Sequence, residues 1–300
     1  MSSAPSVSRH PVDRHRFDTL LAWYFVIVWG SGFVASKVGL QYAAPFTFLG
    51  LRFAFGLLCL VPIIAWTRPR WPGSRGELLH LGVAGLMMHA MNLGGSHYAQ
   101  YLGLSAGITA LILATQPLFT AAISSTLMGE RLVARQWLGV ALGLAGVALV
   151  VWHKIDVHAV TLGSLLAVAL GLVGITAGTL YQRKFCPRSD LRSAAFVQFL
   201  TALVIFVPLG WFVEGLQVTW SWPLLGSVAF LVICASILAV SALHTLMRRG
   251  QATRVTSLLY LTPIIAVLME WLLFGVAPTA LSVGGIAVAS AGVALVSWRR

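Results

Sequence analysis

The chain has 300 residues, of which 58% are hydrophobic and only 9% charged, with a formal net charge of +12. Soluble domains carry roughly 25% charged residues, so this composition excludes an ordinary soluble globule. Several apolar runs reach the ~20 residues that cross a bilayer as a helix, and their unbroken character excludes the alternation of a β-barrel.

Residues 1–17 are polar, carry Arg9, Arg14 and Arg16, and lack the apolar core of a cleavable signal, so a short tail is expected there. Ten apolar runs follow, at about 18–40, 45–66, 77–99, 105–128, 134–152, 161–181, 192–213, 223–245, 254–275 and 279–298. The expected fold is therefore an all-α polytopic membrane protein of ten transmembrane helices. Cys59, Cys186 and Cys234 have no metal-type spacing, and neither a metal site nor a cofactor is expected.

The run from Ser105 to Trp152 is repeated near the C-terminus, from Thr256 to Trp298. Pro117 matches Pro263, Gly129 matches Gly275, Gly139 matches Gly285 and Ala145–Val150 matches Ala291–Val296, all at a constant offset of 146 residues. Pro62 and Pro208 extend the same register into helices 2 and 7. Two halves follow, residues 18–152 and 161–300. Five helices per half is an odd number, so the second half enters the membrane from the opposite side. Such inverted repeats are typical of carriers that work by alternating access around a central midplane cavity.

Charge placement sets the orientation. Seventeen of the 20 Lys and Arg fall in the tail, the 2–3, 4–5, 6–7 and 8–9 loops and the C-terminal end, and the opposite loops carry only Lys154. Basic loops stay inside, which puts both termini in the cytoplasm. The same placement explains the positive charge without a nucleic-acid partner. Trp23, Trp66, Trp71, Trp137, Trp152, Trp211, Trp220, Trp222 and Trp298 lie near run ends, as an interfacial belt requires.

Three charges lie within runs, Lys37, Arg52 and Glu270, all toward the outer leaflet. Such charges cost ~2.5–3.5 kcal/mol on insertion scales and normally face a partner or a cavity. An ion pair or outer gate between Arg52 and Glu270 is expected, with snorkelling as the alternative for Lys37. Near the midplane lie Trp29, Ser31, His89, Asn92, Gln116, Ser236, Tyr260 and Thr262, and all but Ser236 are candidate substrate contacts. Pro117 and Pro263 are expected helix breaks, freeing the carbonyls of Leu113 and Leu259 for a substrate ammonium; bending alone is the alternative. His89 is weighed against a plain backbone hydrogen bond, and His97 and His244 lie nearer the surfaces. Trp29 adjoins Gly30-Ser31-Gly32, where small residues would open space for an aromatic wall, while Trp271 reads as lipid-facing bulk. Gly139-x-x-x-Gly143 and Gly285-x-x-x-Ala289 predict close packing of helices 5 and 10, with a homodimer through those faces as the alternative to a monomer.

Four stretches carry a family resemblance: Trp29-Gly30-Ser31-Gly32-Phe33 with Lys37, Leu51-Arg52-Phe53, Pro117 with Gly129-Glu130-Arg131, and Gly139 with Ala145-Gly146-Val147. The chain resembles the ten-helix EamA-type members of the drug/metabolite transporter superfamily over about residues 20–298, departing at Gly275-Val276-Ala277 where a Gly-Glu-Arg turn is expected. The resemblance implies a secondary carrier for small metabolites in the bacterial inner membrane, and is closest to aromatic amino-acid exporters. It implies no enzymatic activity, and the chain has no HExxH or GxSxG pattern and no phosphate-binding Gly-rich loop. Drug or organic-cation efflux and exchange of nucleotide sugars or phosphometabolites are the alternatives. Protons are a candidate coupling ion, with Glu270 the best-placed acid. Small four-helix relatives use an acid in helix 1, where this chain has only Asp18 at the edge.

Overall fold

The computed structural model describes residues 11–127, 133–156, 160–249 and 259–297. The Gly129-Glu130-Arg131 turn therefore lies outside the described residues. Among the described residues seven helices are long and apolar enough to cross a membrane: Phe17–Gly39, Pro45–Thr67, Ala106–Thr126, Ala134–Trp152, Leu162–Phe185, Leu191–Glu214 and Trp222–Met247. Thr262–Phe274 and Ala280–Val296 are apolar but shorter. The rod around residues 75–101 misses that apolar set because His80, His89, Asn92, Ser96, His97 and Gln100 all fall within it. Among the described residues the sole β feature is one antiparallel bridge, Ala43 to Val218.

In chain order the segments are α1 (Pro11–Gly39), α2 (Pro45–Thr67), α3 (Arg75–Gly85) and α4 (Asn92–Tyr101). A π-helical turn, Leu86–Met91, joins α3 to α4 without leaving helical dihedrals. Next come α5 (Ala106–Leu113), α6 (Gln116–Leu127), α7 (Ala134–Asp156) and α8 (Leu162–Phe185). α9 (Leu191–Leu209) runs into a second π turn, Gly210–Glu214. A third π segment, Phe230–Ala239, joins α10 (Trp222–Ala229) to α11 (Val240–Arg248). The described chain ends with α12 (Thr262–Phe274) and α13 (Ala280–Ser297).

Helix starts are set by short polar caps. Ser74, Ser105, Thr161, Asp190 and Ser221 each accept a backbone N–H from the first turn that follows, which satisfies donors that the helix itself cannot. The helical path is interrupted just ahead of each of the two prolines, Pro117 and Pro263. The break between α5 and α6 falls at Ala114-Thr115, and the turn before α12 at Tyr260-Leu261, again 146 residues apart. Pro117 and Pro263 each stand second in the helix that follows, where a missing N–H costs nothing. They restart helices rather than bend them.

α7 and α13 pack backbone against backbone. A Cβ added at Gly292 would stand 2.3 Å from the Gly143 nitrogen, one at Gly139 2.6 Å from the Gly292 oxygen, and one at Gly146 2.5 Å from the Ala289 nitrogen. Small residues permit this approach, which dispersion alone rewards in lipid. The faces that a homodimer would need are thus consumed within the chain. α2 packs on α9, α5 on α12, the α3–α4 rod on α8, and α1 on the π segment between α10 and α11. Gly30 corrects one expectation. Its missing Cβ makes room for Ile265 and the Thr262 carbonyl, at 2.8 and 3.0 Å, so this glycine seats α12 on α1 rather than opening a cavity.

Candidate functional site

The end of the bundle that holds the α1–α2 and α4–α5 connections is fastened by two carboxylates. Glu270 on α12 is 3% exposed and receives the Lys37 ammonium at 2.6 Å. It also accepts the backbone N–H groups of Ala106 and Gly107, at 3.1 and 3.0 Å. These are orphan donors at the positive end of α5, so the carboxylate ties α1, α5 and α12 together. Lys37, not Arg52, is therefore the partner of Glu270: position along a helix is readable from sequence, azimuth around it is not. The Lys37 ammonium also lies 4.8 Å from the centre of the Phe274 ring. Glu214 makes the second fastening, which the sequence did not single out. It accepts from the Phe46 and Thr47 nitrogens at 3.0 and 2.7 Å and from the Thr47 hydroxyl at 2.7 Å, capping α2 from the far end of α9. Beside it the Ala43–Val218 bridge is extended by Thr219 N–H donating to the Tyr42 carbonyl at 2.8 Å. At the opposite end Arg249 donates to Asp18, and His80 Nδ1 lies 2.6 Å from the Tyr181 hydroxyl.

Between these ends lies a polar interior. His89 sits in the π turn, its Nε2 3.3 Å from Gln198 Oε1, and Gln198 in turn donates to Gln182 at 3.1 Å. The His89 imidazole meets Phe53 and Phe199 edge-on, at 5.5 and 5.2 Å between ring centres. Arg52, next to Phe53 on α2, donates to the Ser236 hydroxyl at 3.4 Å. The Ser236 hydroxyl itself donates to the Leu231 carbonyl at 2.9 Å, inside the other long π segment. Arg52 and Gln198 are 146 residues apart, so the two halves present these side chains at equivalent positions, each to a π segment. That offset is the signal from which Gln198 could have been found.

The remaining candidates are dispersed. Gln116 donates to Thr120 and Thr179, both at 3.3 Å, linking the start of α6 to α8. Asn92 donates to the Met88 carbonyl at 3.3 Å and keeps a buried Oδ1 with no partner among the described residues. Thr262 is buried, also with an unpartnered hydroxyl among the described residues, and Tyr260 packs with Leu118, Val293 and Val296 against the α7–α13 pair. Ser31 is half-buried on α1. Trp29 is 38% exposed and leans on Phe25, 5.3 Å between ring centres. Trp271 is exposed, as bulk facing lipid would be.

The EamA-like transporter family matches residues 17–152 and, a second time, residues 161–298. The chain belongs to the EamA-like transporter family. It is a membrane transporter, so its cargo is a small molecule and its surroundings are lipid. A relative from Escherichia coli (strain K12), named uncharacterized inner membrane transporter YedA, is 27% identical over 87% of this chain and 87% of its own. Two relatives are named probable amino-acid metabolite efflux pump. The one from Salmonella typhimurium is 27% identical over 93% of this chain and 94% of its own. The other, from Escherichia coli (strain K12), is 28% identical over 95% and 97%. A crystal structure at 19% identity shares the fold, with a TM-score of 0.64 over 94% of this chain and 97% of that one.

Proposed function

We propose that this EamA-family chain exports amino acids, aromatic or other neutral ones, across a bacterial inner membrane by alternating access. In this reading ten helices form two inverted five-helix repeats, residues 18–152 and 161–300, and both termini lie in the cytoplasm. The observation that carries it is the duplicated interior: chain breaks at 114–115 and 260–261, and π segments at 86–91 and 230–239, fall in the same register of the repeat. Irregular backbone at membrane depth survives where it lines a cavity or is covered by protein. The pairing of α2 with α9, α5 with α12 and α7 with α13 supports a two-fold relation between the halves. Export of amino acids rests on the two relatives named as efflux pumps and on the family resemblance.

In this mechanism Lys37–Glu270 and Glu214 close the outer end and must part for release. Glu270 is then placed as a gate, its carboxylate holding an ammonium and two helix-terminal amides. The cleft beside it, lined by Ser105, Gly107, Val267 and Ser282, offers the route along which it would be reached.

Counterflow in proteoliposomes tests the assignment. Vesicles preloaded with unlabelled neutral amino acids should accumulate labelled phenylalanine, tyrosine or leucine, and exchange should fall in His89→Ala and Gln116→Ala. Exchange of organic cations with none of any amino acid would overturn the amino-acid reading.

A further inference from the structure

Arg52 is a half-buried cation within its apolar helix, and the described residues supply it no counter-charge. Asp18 is engaged by Arg249, Glu77 and Asp190 cap their own helices, and Glu214 and Glu270 hold the helix ends described above. Among the described residues no carboxylate pairs with Arg52, whose one hydrogen bond is the long one to Ser236. A guanidinium offers five donors in a planar fork, so most of this one's donors remain to be used. An uncompensated charge in a protein interior is strongly unfavourable.

The neighbours of Arg52 along α2 pack against two imidazoles. Along α2 it lies between Phe48, which packs on His97 at 5.9 Å, and Phe53, which packs on His89 at 5.5 Å. His97 is 3% exposed, and its Nε2 has no hydrogen-bond partner among the described residues. Arg52 and His89 are each half-buried, so both keep accessible surface.

We propose that Arg52, flanked by His89 and His97, is the anion subsite of this transporter and takes the carboxylate of its cargo. The guanidinium fork receives the two oxygens. The rest of the cargo then extends away from α2. A purely cationic cargo would meet Arg52 with repulsion, which separates this site from that of a cation exporter. The inference rests on the amino-acid reading only in the choice of first probe.

The test compares four compounds in counterflow with the wild-type protein: L-phenylalanine, its carboxamide, 3-phenylpropionate and phenethylamine. Compounds that keep the carboxylate should be carried, and the amide and amine should be poorer by ~100-fold or more, as in sites built around one hydrogen-bonded group. Arg52→Gln should raise KM for the acids, and Arg52→Lys should recover part of the loss. Because the wild-type comparison needs no variant, a misfolded mutant leaves the test intact. Carriage of 3-phenylpropionate without phenylalanine would end the amino-acid reading and keep this subsite. Equal carriage of phenylalanine and its amide, an unchanged KM in Arg52→Gln, or no response to any carboxylate would overturn the subsite.

Discussion

At the scale of single residues, the strongest demands fall on Glu270. Its carboxylate satisfies one ammonium and two helix-terminal amides in a nearly dry position. Glu270→Ala leaves all three donors without an acceptor and should cost about 3 kcal/mol of stability. Lys37→Ala removes the cation but leaves the carboxylate on the α5 terminus, so it should cost about 1 kcal/mol less. Thermal unfolding of both variants in one detergent checks the order, and a Lys37 variant less stable than the Glu270 variant would place the main contact elsewhere. The sequence places Lys37, Arg52 and Glu270 at similar depth, but depth known to a few residues leaves azimuth undetermined. That is why the pairing falls on Lys37 and frees Arg52 for other work. Glu214 was passed over because it stands at the end of an apolar run, where an acid reads as a solvated boundary.

At the scale of elements, the closest packing belongs to α7 and α13. Gly292→Ala would set a methyl 2.3 Å from the Gly143 nitrogen and must force the helices apart, at a cost of about 2–3 kcal/mol. Gly284 on the same helix has open space where its Cβ would go, so Gly284→Ala should be neutral or gain up to ~1 kcal/mol from helix propensity. Unfolding midpoints of the two variants therefore should move in opposite directions, or only the first should move. This contact was legible because spacing of small residues has one physical meaning along a helix. Gly30 is ambiguous in sequence because a missing Cβ makes room equally for a cargo and for a neighbouring helix, and here Ile265 fills it. The π turns had no sequence signature at all: one extra residue in a turn changes no composition and only re-aims the side chains that follow.

At the scale of the whole molecule, the repeat of 146 residues explains more than any single motif. It ties the two chain breaks, the two longer π segments and the Arg52–Gln198 pair to one plan, and each family match covers one unit of it. That the chain is all-helical and crosses a membrane several times was legible from apolar length, whereas the polar rod through His89 and Asn92 stands out only once its packing on α2, α8 and α9 is seen. What moves is where the proposed export mechanism is most exposed, because it requires the Glu214 and Glu270 end to open in every cycle. The Ala43–Val218 bridge crosses that end, and facing residues of an antiparallel pair are close enough for a disulfide. The measurement is amino-acid counterflow by an Ala43→Cys/Val218→Cys protein with its three native cysteines replaced, before and after oxidation. Exchange should stop when the pair is cross-linked and return when it is reduced, while bound substrate still raises the unfolding temperature. Undiminished exchange through a fully cross-linked protein would contradict a carrier that opens at this end.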